Sequence, residues 1–431
     1  MKYASVIVLI FLLIEHVIVQ KSELQLSVIH FNDFHARFKA TNENGGPCGV
    51  HKKCVGGFSR LHKQISTILK ENPESIVLNA GDSFQGTFWY TVGKWNITSQ
   101  FMNTLRIDAE TKSNTGNLKF LPESASVNEE AERLVREEDV FTNIVLSHSG
   151  YSIDKEIAAN ASTSISLIVG GHTHTFLFTG DKPPGPEPVR GPYPKIVRSK
   201  HGQKVLITQV SCASRYLGNI TMLLDKHGKV FHFSGNPIFL DSSFPQDEKI
   251  NEMLVPWQKL IDTQGEKVIG STLLSLNITR CHYQECSLGD FVTDSMVFAY
   301  DSSSNGSTSG VDCAVTNPGG LRGDLNIGRI KMSYNLSQPQ GNRVVSLKIR
   351  CRNCTHQIYE DLQLGHHYTI ALPSFLTKGG TGFNFLEDVL IATKTGPLDM
   401  EVFQDYLSKH SPISYLDSER ITVYDSERQE L

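Results

Sequence analysis

The chain has no excess of basic residues. Its 431 residues carry 41 Lys and Arg against 45 Asp and Glu, a formal charge of -4, and no basic stripe stands out. That argues against a nucleic-acid-binding protein. Beyond the first twenty residues there is no long hydrophobic run, and the final stretch ITVYDSERQEL is polar. Neither a membrane anchor nor a lipid-anchor signal of the glycosylphosphatidylinositol type is therefore expected. The Cys351-x2-Cys354 pair has no second Cys-x2-Cys and no His-x3-His to complete it, which argues against a structural zinc site. No internal repeat is visible.

What is present points to a secreted globular protein. The opening MKYASVIVLIFLLIEHVIVQ has an early lysine, an apolar core from Val6 to Ile14 and polar residues from Gln20 onward. This is the layout of a secretory signal peptide, expected over residues 1–20. The cysteines fall mostly in close pairs, Cys48 with Cys54, Cys281 with Cys286 and Cys351 with Cys354, leaving Cys212 and Cys313. Short loops closed by local disulfides suit an oxidising compartment. Seven Asn-x-Ser/Thr sequons, at Asn96, Asn160, Asn219, Asn277, Asn305, Asn335 and Asn353, fit a glycoprotein. The length predicts two or three domains.

From Leu24 onward, apolar runs alternate with helical patterns. QLSVIHFND, SIVLNAGD, TNIVLSHSG, SISLIVGGHTH and KVLITQVS read as buried strands, and FSRLHKQISTILKEN and VNEEAERLVREE as amphipathic helices. Strands between helices mean an α/β layered core, with ligand sites beyond the carboxyl ends of the strands. GDKPPGPEPVRGPYP is a proline-rich surface loop, and DEKINEMLVPWQKLIDTQ one helix, despite Pro256, joining two domains. The second domain is expected to contain a strand KVIGSTLLSL, a helix GDFVTDSMVFAY and the strands VVSLKIRC and YTIALP.

The strand ends carry the chemistry. SVIH is followed by Asn32-Asp33-Phe34-His35, SIVLNA by Gly81-Asp82, NIVLS by His148, and SLIVGG by His172 and His174. Four strands of one sheet are expected to deliver these two aspartates and four histidines to one edge. Asp33 and His35 are two residues apart, as are His172 and His174, so in extended chain each pair projects to one side. A single histidine is more often structural than a ligand, but six candidate ligands on consecutive strand ends form a set. Mixed carboxylate and imidazole donors suit two borderline divalent ions, such as zinc or manganese, with one aspartate as bridge.

HFNDFHARF, LNAGDSFQGTFWY, VLSHSGY and GGHTHTFLFTG resemble the signatures of the metallophosphoesterase-type 5'-nucleotidase and apyrase family. QECSLGDFVTDSM, TNPGGLRGD and LPSFLTKGGTGF resemble that family's nucleotide-binding domain. Among its branches the chain is most similar to secreted salivary apyrases and 5'-nucleotidases of blood-feeding arthropods, which act against platelet aggregation. The resemblance implies a four-layer metallophosphoesterase domain, a β-sandwich flanked by helices, over residues 23–242. A linker helix at 243–265 and a smaller α/β nucleotide-binding domain at 266–425 would follow. It implies two divalent cations (zinc, manganese, calcium or magnesium) and the release of phosphate from extracellular ATP, ADP or AMP. Asp33, His35 and His174 would bind one cation, Asp82 would bridge, and His148 and His172 would bind the other. Asn317 and Arg322 match substrate-holding positions, and Phe375 one of two aromatic rings that clamp the base.

The chain departs from the family pattern in two places. A Gly-Asn-His-Glu motif, which supplies a metal-binding Asn and a catalytic His, should follow MNTLRIDA, but the sequence continues ETKSNTGNLKFLPE. A deletion after Ala109 accounts for this, and it leaves the catalytic residue unassigned. A second gap after GRIKMS removes the other stacking aromatic, so both domains are shortened. His282 and Thr381 stand where Arg and an acidic residue are expected. Impaired activity follows from these losses. Arg322-Gly323-Asp324 is a tripeptide that integrins recognise on exposed loops. A catalytically inactive binder, of nucleotide or of a platelet integrin, is therefore the alternative to a hydrolase.

Overall fold

The computed structural model describes residues 24–42, 48, 53–111, 121–276, 285–302, 310–316, 326–328, 330–339, 341–350, 358–377 and 389–424. The chain divides into two units, Met1–Glu266 and Lys267–Leu431. In the first, β1 (Leu24–Phe31) is buried from Ser27 onward. It pairs in parallel with β2 (Ile76–Asn79) and antiparallel with β8 (Tyr216–Leu224). The sheet is completed by β3 (Ala109–Glu110) beside β2, and by β9 (Val230–Gly235) and β10 (Ile238–Phe239) beside β8. A second sheet has the order β4-β5-β7-β6, from Asn143–Leu146, Ile165–Val169, Lys204–Thr208 and Lys195–Arg198. Its first three strands are parallel and β6 is antiparallel to β7.

The expectation of a single sheet is therefore corrected: β1 and β2 lie in one sheet, β4 and β5 in another. An apolar run records that a strand is buried but not which strand it pairs with. The two sheets face each other. Val28, Leu78, Ile220 and Met222 of the first share a core with Leu167, Val169 and Leu206 of the second. Alternation sends the neighbouring residues outward. Ile29, Phe31 and Val77 pack on α1 (Phe58–Glu71), α2 (Phe88–Met102) and α5 (Glu248–Gly265) through Leu61, Ile65, Phe101 and Leu254. Ile168, Val205 and Ile207 pack on α3 (Glu123–Glu138) and α4 (Tyr151–Asn160) through Ala131, Ile157 and Ala158. The result is four layers, helix–sheet–sheet–helix.

Packing rather than capping holds these helices. Helices α1 to α4 have no side-chain N-cap hydrogen bond. Each fully buried Leu, Ile or Phe contributes about 1.5–3 kcal/mol, against about 1 kcal/mol for a good cap. Helix α5 is the exception: Asp247 accepts from Lys249 N and Ile250 N, and the helix runs through Pro256 unbroken.

In the second unit, β11 (Cys313–Thr316) lies between β12 (Asn326–Gly328) and β16 (Ile370–Ala371). A four-stranded sheet has the order β15-β14-β13-β17, from Tyr359–Asp361, Val344–Arg350, Ile330–Asn335 and Ile421–Tyr424. Phe291 and Val292 of α6 (Ser287–Ser302) pack on Phe403, Tyr406 and Leu407 of α8 (Asp399–His410), and a short α7 spans Ser374–Thr377. Arg420 is buried beside the buried Asp290 and the half-buried Asp294, 2.8 Å from the latter. KVIGSTLLSL is not a strand: of its described residues only Thr272 makes a bridge, to Ile413, and Val268 is 88% exposed. Its apolar residues fall largely in adjacent pairs, Val268-Ile269 and Leu273-Leu274, and beyond the two bonds of Ser271 and Leu273 with Ile413 no named strand takes up its backbone groups among the described residues. YTIALP contributes only the two residues of β16. Cys48 and Cys54 form a disulfide, Cys286 is also disulfide-bonded, and Cys212 and Cys313 are free thiols.

Candidate metal centre

Six side chains singled out from the sequence follow β1, β2, β4 and β5, and the backbone brings the turns that carry them together. The turns after β1 and β2 are zipped edge to edge by Asp33 N to Gly81 O (2.9 Å), His35 N to Asp82 O (3.0 Å) and Ala36 N to Ser83 O (3.2 Å). The route is not the extended chain expected from the spacing. Asp33, His35, Asp82, His172 and His174 all have left-handed backbones, with φ of 50°, 51°, 56°, 75° and 51°. Such residues cost about 1–3 kcal/mol each and persist only where their surroundings over-determine them. The side chains therefore converge through tight turns rather than through strand alternation.

Two groups of donor atoms result. Asp33, His35 and His174 form one, and Asp33, Asp82 and His148 the other, with the ligand atoms of each group within 4.8 Å of one another. Asp33 Oδ1 lies 3.4 Å from His174 Nε2, 3.9 Å from His35 Nε2 and 3.7 Å from His148 Nε2. Asp82 Oδ2 sits between the groups, 3.6 Å from His35 Nε2 and 3.8 Å from His148 Nε2. His172 joins neither group. Its ring packs against that of His148 at 5.4 Å, and its backbone N–H donates to Asp33 Oδ2 at 2.9 Å.

Hydrogen bonds from behind aim the imidazoles. His35 Nδ1–H donates to the Gln85 carbonyl and His148 Nδ1–H to the Ala80 carbonyl, each at 2.6 Å. A carbonyl only accepts, so each ring in its neutral form carries its proton on Nδ1 and turns the Nε2 lone pair toward the carboxylates. Metal-binding histidines are oriented in this way. Asn32 ties the turn after β1 to the segment after β7: Nδ2 donates to Asp33 Oδ2 (2.7 Å) and Ser211 O (2.5 Å), while Oδ1 accepts from Val210 N. Space is tight as well. A Cβ on Gly171 would stand 2.7 Å from His148 Nδ1 and 3.2 Å from Asp33 Oδ2.

The electrostatics favour bound cations. Burial opposes charge on Asp33, yet His174, His148 and Asn32 hold its carboxyl below the usual range. Asp82 is likewise held low against burial by His148 and His35. Burial lowers His35 and His172. Against burial, His148 is raised by Asp82 and Asp33. His174 is raised to about 10, against burial, by Asp33 and by the thiol of Cys212. His174 Nε2–H accordingly donates to His35 Nε2 at 3.0 Å. Oxygen and nitrogen donors of this kind, buried at Asp33 and His35 and half-buried at Asp82, His148 and His174, fit a borderline divalent ion.

A cavity of about 430 Å³ adjoins His174, and Lys155 and Arg190 line it as cations. Its far wall is the proline-rich loop, pinned where Glu187 pairs with Arg215 and accepts from Tyr216 Oη. Three buried polar residues were not singled out from the sequence: Asn32, Asp154 and Gln209. Each follows an apolar run or sits in a helix turn, where it reads as ordinary loop or surface. Asn317, Arg322, Gly323, Asp324 and the ring of Phe375 lie outside the described residues.

Known proteins share the family and the fold. Residues 267–333 and 327–388 match the model of the 5'-nucleotidase C-terminal domain. A 5'-nucleotidase-related protein of Glossina morsitans morsitans is 33% identical, over 92% of this chain and 94% of its own. An apyrase of Tabanus yao is 32% identical, over 93% and 94%. The alignment with the Glossina protein spans 524 positions, more than the 431 residues here, so that relative carries residues without a counterpart. The crystal structure of a 5'-nucleotidase precursor from Thermus thermophilus superposes with a TM-score of 0.72 at 21% identity, over 94% of this chain and 100% of that one.

Proposed function

That the chain belongs to the 5'-nucleotidase and apyrase family is the premise from which we propose its function: a secreted, divalent-cation-dependent hydrolase of extracellular ATP, ADP or AMP, acting in saliva against platelet aggregation, with turnover reduced by the loss of a catalytic segment. The observation that carries the cation dependence is the aim of the imidazoles. His35 and His148, each tied through Nδ1 to a backbone carbonyl, present Nε2 to the same two carboxylates. Asp33, His35 and His174 would hold one cation. His148 and His172 would hold the second, with Asp82 between them. Such ions supply Lewis-acid charge against phosphoryl oxygens and activate water for in-line attack.

The chain's own residues do the rest. The left-handed turns fix the donors before substrate arrives, so no reorganisation is needed at the moment of reaction. Lys155 and Arg190, beside His174, draw an anionic substrate toward the centre. The apolar opening segment and the Cys48–Cys54 disulfide support secretion.

Strand β3 ends at Glu110, where the family continues into Gly-Asn-His-Glu. Without a transition-state stabiliser, turnover is expected to fall about a hundred- to thousandfold. That same observation favours a second reading, a nucleotide-binding homologue without turnover. Phosphate release from ADP and AMP with added Mn2+ or Zn2+, compared with Asp82→Ala, separates the two. Wild-type release above the variant's supports the hydrolase. Nucleotide binding by calorimetry with equal, background release refutes it.

A further inference from the structure

Gln209 follows β7 and is fully buried, and its side chain is spent on the loop that carries two of the six candidate ligands. Oε1 accepts from Thr175 N at 2.5 Å and from Thr173 Oγ1 at 3.1 Å, and Nε2 donates to Gly171 O at 2.9 Å. Thr175 N can only donate and Gly171 O can only accept, so the orientation of the amide is fixed and both of its ends are used. These bonds grip the loop at both ends, with His172 and His174 between them.

The grip extends to the turn of His148. Thr173 Oγ1 also accepts from Tyr151 N at the start of α4. One turn along that helix, Asp154 Oδ1 accepts from Ser147 Oγ at 2.6 Å, next to His148. Gly170 lies between these parts: a Cβ there would stand 2.1 Å from Asp154 Oδ2 and 3.2 Å from Gln209 Nε2.

We propose that Gln209 is the positioning residue of the centre, holding the 171–175 loop at the setting in which His174 meets Asp33 and His35. Resting as it does on the reading of these residues as a cation site, the inference is tested on cation binding and not on turnover. The Gln209→Met variant keeps the length of the side chain and removes both hydrogen-bonding ends. Its affinity for Mn2+, measured by calorimetry without nucleotide, is expected to fall about 10- to 100-fold, the usual effect of losing such a support. Faster amide exchange at Thr175, with far-UV circular dichroism unchanged, should accompany the loss.

Thr173 is exposed, so Thr173→Val is a second variant that should fold if Gln209→Met does not. It removes one bond to Gln209, the link to Tyr151 and the bond to Thr175 Oγ1, and a smaller loss of Mn2+ affinity is expected. Affinities within about twofold of wild type in the folded variants would overturn the proposal, since losing such a support should cost at least about tenfold. A wild type that binds Mn2+ but releases no phosphate defeats the hydrolase and leaves this inference to the affinity ratios. A wild type that binds neither Mn2+ nor Zn2+ overturns both.

Discussion

Replacing Asp154 by Asn should make the first unit's stability less dependent on pH, and the size of the effect follows from where the carboxyl sits. Asp154 is fully buried; Oδ1 accepts from Ser147 Oγ, and Oδ2 has no partner among the described residues. Burial lifts its pKa from 3.8 to about 6. Below 3.8 the group is protonated in the folded and the unfolded chain alike, and folding carries no penalty. As the pH rises through 6 the unfolded chain has already ionised while the folded one resists, so stability is lost and then levels off. A rise of this size corresponds to about 3 kcal/mol, of which about 1.5 kcal/mol accrues between pH 5 and pH 8.

Asn keeps the acceptor for Ser147 and cannot ionise, so the advantage of Asp154→Asn over wild type should grow by about 1.5 kcal/mol across that range. All 3 tryptophans, Trp89, Trp95 and Trp257, lie in the first unit. Their fluorescence in urea titrations of cation-free protein therefore reports that unit alone. A difference between variant and wild type that stays constant from pH 5 to pH 8 would refute the reasoning.

Other outcomes follow from contacts already described. Gly171→Ala pushes a methyl against His148 Nδ1 and the Ala80 carbonyl, so Mn2+ affinity should fall at least about tenfold; calorimetry that finds it unchanged would show that the turn can yield. Since His174 is raised to about 10 by Asp33 and Cys212 against burial, cation binding near neutral pH must expel its proton. Apparent affinity should climb from pH 6 to pH 9, and calorimetry in two buffers of different ionisation enthalpy should detect the released proton. In the second unit, Arg420→Met leaves Asp294 and the burial-raised Asp290 without their buried cation. A loss of about 3–5 kcal/mol is expected, read from amide exchange in β13 and β17.

The candidate ligands were legible because apolar runs that end in Asp and His are conspicuous, and the family signatures around them are long. The sheet assignment was not, because β1 and β5 have the same buried character whichever sheet they join. The left-handed turns were hidden for a related reason. Asp33, His35, Asp82, His172 and His174 are not glycines, and their positive φ belongs to tertiary contacts, such as Asp33 N to Gly81 O and His35 N to Asp82 O, that no local pattern marks. Gln209 escaped notice because its partners come from another segment, and Asp154 because a carboxylate in the first turn of a helix reads as surface although here it is buried against Ser147. KVIGSTLLSL shows the converse, a strand pattern with only a bridge at Thr272 to satisfy it.

The division of the centre between the two sheets has a mechanical consequence. Asp33, His35 and Asp82 follow strands of one sheet, and His148, His172 and His174 follow strands of the other. An ion shared among them would work as a rivet through one end of the seam. Sliding of one sheet over the other, already resisted by interlocking side chains and by hydrogen bonds such as those of Asn32, would then stretch bonds to the ion as well. Chelation should loosen that end first, and protease cleavage of the 171–175 loop should quicken before any strand melts.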